Sequence, residues 1–133
     1  MIKIEHIGIA VHDLKISKSI FEKLFGTAAY KEEEVVSEGV KTSFFINGPH
    51  KIELLQATNA NSSIAKFLNK KGEGVHHIAF DVEDIEQEIA RLKQEGFIFI
   101  NETPKKGADN KLVVFLHPKS SNGILIELCQ QIK

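Results

Sequence analysis

Four polar side chains interrupt stretches that otherwise read as buried strand: His6 in EHIGIAV, Glu53 in KIELLQ, His77 in GVHHIAFDV and Glu127 in LIELCQ. A carboxylate left unpaired among apolar strand residues costs several kcal/mol or takes up a proton, so each needs compensation. Two imidazoles and two carboxylates form a mixed nitrogen and oxygen set suited to one divalent ion, Zn, Co, Ni, Mn or Fe(II). The thiolate-rich alternative is closed, because Cys129 is the one cysteine of the chain. Taken singly, a strand histidine is more often a satisfied core or rim residue, and a strand glutamate more often faces solvent. Recurrence of both types in register raises the metal reading above those alternatives.

Strand alternation says which histidine belongs to the set. His6 shares a face with Ile4, Gly8 and Ala10, and His77 shares one with Val75, Ala79 and Asp81. Gly8 and Ala79 leave room beside the imidazoles. His76 points the other way with Ile78, Phe80 and Val82, so His77 is the counterpart of His6. His12, His50 and His117 fall at strand ends or turns. For His12 and His50, solvent exposure or local capping is sufficient explanation.

The elements that position these side chains come from an internal repeat. His6 and His77 are 71 positions apart, as are Asp13 and Asp84; Gly26 and Gly96 are 70 apart, and Glu53 and Glu127 are 74 apart. Each copy opens with an alternating strand and continues into a helix begun by an Asp in N-cap position. Helical spacing places Leu14, Ile20, Phe21, Leu24 and Phe25 on the first helix and Ile85, Ile89 and Leu92 on the second. Gly26 and Gly96 then suit a left-handed cap. Three strands follow in each copy. They are AAYKEEEV, VKTSFFIN and HKIELLQ in the first, and FIFI, KLVVFLH and GILIELC in the second, with SSIAKFLNKK as a linking helix. At least one of Phe44 and Phe45 must face a core.

The pattern predicts an α+β fold of two β-α-β-β-β modules, forming a curved eight-stranded cup or half-open barrel with helices outside. The modules span about 1–60 and 74–130, joined by the helix at about 62–71. At 133 residues, 42% of them hydrophobic, the chain suits one domain over 1–133, since neither half buries enough surface alone. A formal charge of −1 offers no global field for nucleic acid or an anionic membrane. Apolar runs such as VVFL and GILI fall far short of the roughly 20 residues that span a bilayer. With one cysteine and no basic-then-apolar leader before Ile2, the expected compartment is the cytoplasm.

The segments EHIGIAV, KIELL, HHIAFDV and FLHPKSSNGILIELCQ together resemble the vicinal oxygen chelate superfamily, which includes glyoxalases, bleomycin resistance proteins and dioxygenases. Within it the chain most resembles the methylmalonyl-CoA epimerases, over nearly its whole length, with SSIAKFL also matching their pattern. The resemblance places His6, Glu53, His77 and Glu127 on the metal-ligand positions. It implies an acyl-CoA substrate, one divalent metal (Co, Zn, Ni or Mn) and a homodimer. Some of these epimerases have Gln at the position of Glu53 and an acid where this chain has Thr42. Glutamate at both ligand positions is closer to what glyoxalase I enzymes show.

Epimerisation removes the proton between a thioester and a carboxylate and returns it to the opposite face, through an enolate. The pseudo-equivalent Glu53 and Glu127 are the expected base pair. The apolar run around Glu127 should raise its basicity, while metal ligation pulls the other way. Lys105, Lys106, Lys111 and Lys119 are expected in loops where they could meet the CoA phosphates. Ser120 or Ser121 could donate to the substrate carboxylate. Glyoxalase I, acting on a thiol hemithioacetal, is the nearest alternative, and a non-catalytic ligand-sequestering protein is the next. A ring-cleaving dioxygenase fits less well, because a fourth protein ligand fills sites that oxygen chemistry needs open.

Overall fold

A computed structural model describes residues 2–133 of the chain. The strands are β1 (Lys3–Ala10), β2 (Lys31–Val35), β3 (Val40–Asn47), β4 (His50–Ala57), β5 (Gly74–Asp81), β6 (Lys105–Lys106), β7 (Lys111–Leu116) and β8 (Ile126–Gln131). The helices are α1 (Leu14–Phe25), α2 (Ser63–Lys71) and α3 (Ile85–Gln94). The fold class is therefore α+β, built from two β-α-β-β-β modules as the sequence implied. The chain divides into two compact units, His6–His76 and the residues up to Glu5 with His77–Lys133. No helix among the described residues is long and apolar enough to cross a membrane.

In the first unit the strands lie in the order β2-β3-β4-β1. β1 runs parallel to β4 with Gly8 beside Glu53, and β3 runs antiparallel to β4 with Phe44 beside the same glutamate. Alternation sends the intervening residues to the other face, where Leu54 and Phe45 pack with Val11 and Leu14 beneath Phe21 and Phe25 of α1. The helix starts because the Asp13 carboxylate accepts the Ile16 N–H at 3.1 Å, and it stops at Gly26 in the left-handed conformation, φ 69°. A second cluster seats Ile64 and Leu68 of α2 on Ala10, Val40 and Leu55. Ser62 caps that helix by accepting the Ala65 N–H at 3.1 Å.

The second unit repeats the plan with the strand order β5-β8-β7-β6. Ala79 stands beside Glu127 across the parallel β5–β8 pair, and Phe115 stands beside it across the antiparallel β7–β8 pair. On the helix side, Ile85, Ile89 and Leu92 of α3 close over Val82, Val114, Leu116 and Leu128. The Asp84 carboxylate accepts the Gln87 N–H at 3.1 Å. Gly96, with φ 93°, falls one residue beyond the Glu95 cap.

Several expectations fail in this unit. FIFI, residues 97–100, does not form a strand: it makes one bridge, Phe99 with Leu116, and the short β6 further on occupies the edge. The Phe97 N–H is taken by Leu92 O at the end of α3, at 3.0 Å, and the Asn101 side chain turns the chain by accepting the Thr103 N–H at 2.9 Å. Lys111 is not in a loop but opens β7, 7% exposed. Its ammonium donates to Gln131 Oε1 at 2.7 Å and lies 3.9 Å from the Glu5 carboxylate.

Candidate functional site

Each unit carries one buried imidazole against one buried carboxylate. In the first, His6 Nε2 is 3.2 Å from Glu53 Oε1, and in the second His77 Nε2 is 3.1 Å from Glu127 Oε1. All four residues are at most 6% exposed. Both glutamates have the same strand neighbours by type, a small residue on the histidine strand (Gly8, Ala79) and a phenylalanine on the other side (Phe44, Phe115). The small residue leaves the imidazole room, and an aromatic residue flanks each carboxylate in the ladder. Phe115 also sets its ring edge-on to His77, centroids 5.9 Å apart.

The spacing of each pair fits two ligands of one ion. With metal bonds of about 2.1 Å to nitrogen and oxygen, ligands at a right angle stand about 3.0 Å apart and tetrahedral ones about 3.4 Å. The observed 3.1 and 3.2 Å lie between those values. The ligand types, imidazole with carboxylate, suit Zn, Co, Ni or Mn.

Of the two adjacent histidines, His77 is the one paired with Glu127. His76 meets Phe67 ring edge to face at 5.0 Å and takes no part in the Glu127 pair. Thr42, where the resembled epimerases carry an acid, is 1% exposed, and its hydroxyl donates to Glu33 O at 3.4 Å. The cleft lined by Lys15, Lys18, Glu32, Lys41 and Thr42 opens beside α1. Its lining is charged, and His6 and Glu53 do not contribute to it.

The remaining candidates occupy the second unit. Lys105 and Lys106 are not in a loop as expected but exposed on the edge strand β6, opposite Val113 and Leu112, and Lys119 is exposed in the 3-10 turn Pro118–Ser120. The Ser120 hydroxyl donates to His117 O at 3.0 Å and the Ser121 hydroxyl to Ile124 O at 2.7 Å, so both hold the turn. Cys129 is fully buried, and burial, with the Glu127 and Glu5 carboxylates near it, pushes its thiol far above the ordinary range.

Two polar residues escaped the sequence reading. Gln56 and Gln130, the last residues of KIELLQ and LIELCQ, each accept the first backbone N–H of a helix through Oε1, Leu14 N and Ile85 N, at 2.7 Å in both cases. The repeat itself held the signal, since both occupy the same place relative to a candidate glutamate.

The family model described as Glyoxalase/Bleomycin resistance protein/Dioxygenase superfamily matches residues 5–115. Among curated relatives, the uncharacterized protein YqjC of Bacillus subtilis is 37% identical over 130 residues, covering 98% of this chain and 93% of its own. The ethylmalonyl-CoA/methylmalonyl-CoA epimerase of Cereibacter sphaeroides is 40% identical over 131 residues, covering 96% of this chain and 97% of its own. A solved structure of a Streptomyces coelicolor methylmalonyl-CoA epimerase variant in complex with 2-nitronate-propionyl-CoA matches with a TM-score of 0.92 at 34% identity, over 97% of this chain and 94% of that one. With the same pair geometry in both halves and matches of this extent, the chain belongs to the glyoxalase/bleomycin resistance protein/dioxygenase superfamily.

Proposed function

We propose that this chain is a methylmalonyl-CoA epimerase, interconverting (R)- and (S)-methylmalonyl-CoA by removing the α-proton to give an enolate and returning it to the opposite face. The observation that carries the reading is the buried imidazole within ligand spacing of a buried carboxylate, present in each half. An epimerase relative of nearly equal length supports it. His6, Glu53, His77 and Glu127 are the proposed ligands of one divalent cation. When bound, that cation supplies Lewis-acid stabilisation of the negative charge that develops as the proton leaves.

Glu127 and Glu53 are the proposed proton carriers, one for each face of the substrate. Each presents Oε1 to its histidine. Both carboxylates are at most 6% exposed, and low exposure to water strengthens their interaction with nearby charge. Lys105, Lys106 and Lys119, all exposed, are the proposed partners of the CoA phosphates. Ser120 and Ser121, expected as donors to the substrate carboxylate, spend their hydroxyl protons on turn carbonyls and are not proposed in that role. We also propose a homodimer, for which Ile16, Ile20 and Leu24 on α1, each more than half exposed, offer an apolar stripe. A monomeric mass by light scattering would remove that part.

The test is deuterium uptake at the substrate α-carbon in deuterated water, with metal content measured on the same preparation. Wild type should exchange and epimerise, whereas Glu127→Gln with metal still bound should not epimerise and should exchange only the epimer whose α-proton faces Glu53. Normal epimerisation by that variant would end the assignment. Glyoxalase I remains a second reading because glutamate occupies both ligand positions. Isomerisation of a glutathione hemithioacetal, with no α-proton exchange on methylmalonyl-CoA, would select it instead.

A further inference from the structure

We propose that Gln56 and Gln130 are positioning residues, each locking the register of its half's histidine strand against its glutamate strand. The same arrangement occurs twice. β1 runs beside β4, the Val11 N–H donates to Leu55 O at 2.9 Å, the chain turns through Asp13, and the Leu14 N–H returns to Gln56 Oε1 at 2.7 Å. In the other unit, Val82 N–H donates to Cys129 O at 2.9 Å, the chain turns through Asp84, and the Ile85 N–H returns to Gln130 Oε1 at 2.7 Å.

The first N–H of a helix has no partner within that helix. Here it belongs to a buried core residue in each case, Leu14 at 8% exposure and Ile85 at 2%. The glutamine side chain is its acceptor in each half, in a part-buried bond. Each glutamine lies three residues beyond its glutamate, which by alternation puts the two on opposite faces of one strand. The glutamine holds the helix side while the glutamate stands on the histidine side. A slip of one residue between the strands would carry Glu53 or Glu127 to the helix side and leave His6 or His77 without its partner. Backbone ladder bonds can re-form after such a slip, whereas the glutamine bond cannot.

This inference rests on the metal reading only for its consequence in affinity. The test uses the full chain with 15N-labelled histidine. Long-range nitrogen spectra of metal-free protein report His6 and His77 Nε2 separately, and calorimetry with zinc reports affinity. Gln130→Leu should shift or broaden the His77 Nε2 signal and leave His6 unchanged, and Gln56→Leu should do the reverse. Zinc affinity should fall about 10- to 100-fold in each, as for other groups that orient metal ligands. Gln130→Glu, which keeps the acceptor, should preserve the His77 signal.

Wild-type histidine signals in a folded Gln130→Leu would overturn the proposal, as would equal disturbance of both histidines. So would Gln130→Glu behaving like the leucine variant. Should Gln130→Leu fail to fold, Gln130→Asn, whose acceptor falls one carbon short, must still disturb His77 selectively. If wild type bound no zinc, the proposed metal site would fail while the histidine signals still decided the role of the glutamines.

Discussion

Replacing Glu127 by Gln separates a residue that waits for a cation from one that merely holds the fold. The amide keeps an oxygen to accept from His77 Nε2, 3.1 Å away, and keeps the packing between Ala79 and Phe115. What it removes is a negative charge on a residue 6% exposed, whose burial is costly until a cation neutralises it. Metal-free Glu127→Gln should therefore be at least as stable as metal-free wild type. The bound state behaves oppositely. A ligand at 100 times its dissociation constant stabilises the wild type by about 2.7 kcal/mol. Unfolding entropy of about 2.1 cal/mol/K per residue gives 133 residues about 0.28 kcal/mol/K, so the melting temperature should rise by about 10 °C. If losing one carboxylate weakens binding about 100-fold, the same metal concentration stabilises the variant by about 0.4 kcal/mol, or about 1.5 °C. The assay is thermal unfolding with chelator and with cobalt, both proteins side by side. An equal cobalt shift in the two would show that Glu127 does not bind the ion. A metal-free loss of about 7 °C or more in the variant would show that its charge supports the fold, and the reasoning would be wrong.

Two further outcomes follow from packing and capping. Cys129 is fully buried with its thiol held well above the ordinary range, so a thiol reagent at pH 8 should leave the native protein unlabelled and react only on unfolding; rapid native labelling would contradict the buried placement. Asp84→Ala removes the acceptor for the Gln87 N–H and should cost about 1 kcal/mol, read as a drop of about 4 °C in melting temperature. An unchanged melting temperature would mean that the cap is replaced by water at no loss.

The chain states some of its structure in short-range terms. Alternation over EHIGIAV and GVHHIAFDV selects His77 over His76, because successive strand side chains point to opposite faces whatever the neighbours are. Asp13 and Asp84 announce helix starts, since a cap bonds only two or three residues ahead. The repeat carries the β-α-β-β-β order. By the same local criteria FIFI looks like a strand, yet its first N–H is taken by the end of α3 and its Phe97 and Phe99 pack against the α3 cluster. Lys111 looks like one more loop lysine, yet it starts β7 and is buried against Gln131. Neither outcome can be read from neighbouring residues.

The candidate site divides along the same line. Residue types and their recurrence single out His6, Glu53, His77 and Glu127 from the sequence, because burying a charge in an apolar strand is costly wherever the strand goes. That each histidine faces the glutamate of its own half was decided only by strand pairing, with Gly8 set beside Glu53 and Ala79 beside Glu127. The bonds from Gln56 and Gln130 span 42 and 45 residues, and such distant partners are chosen by the register of two strands and the docking of a helix. Side-chain period and capping are local properties and so are written in the chain, whereas a hydrogen-bond partner across a sheet exists only once the sheet has formed.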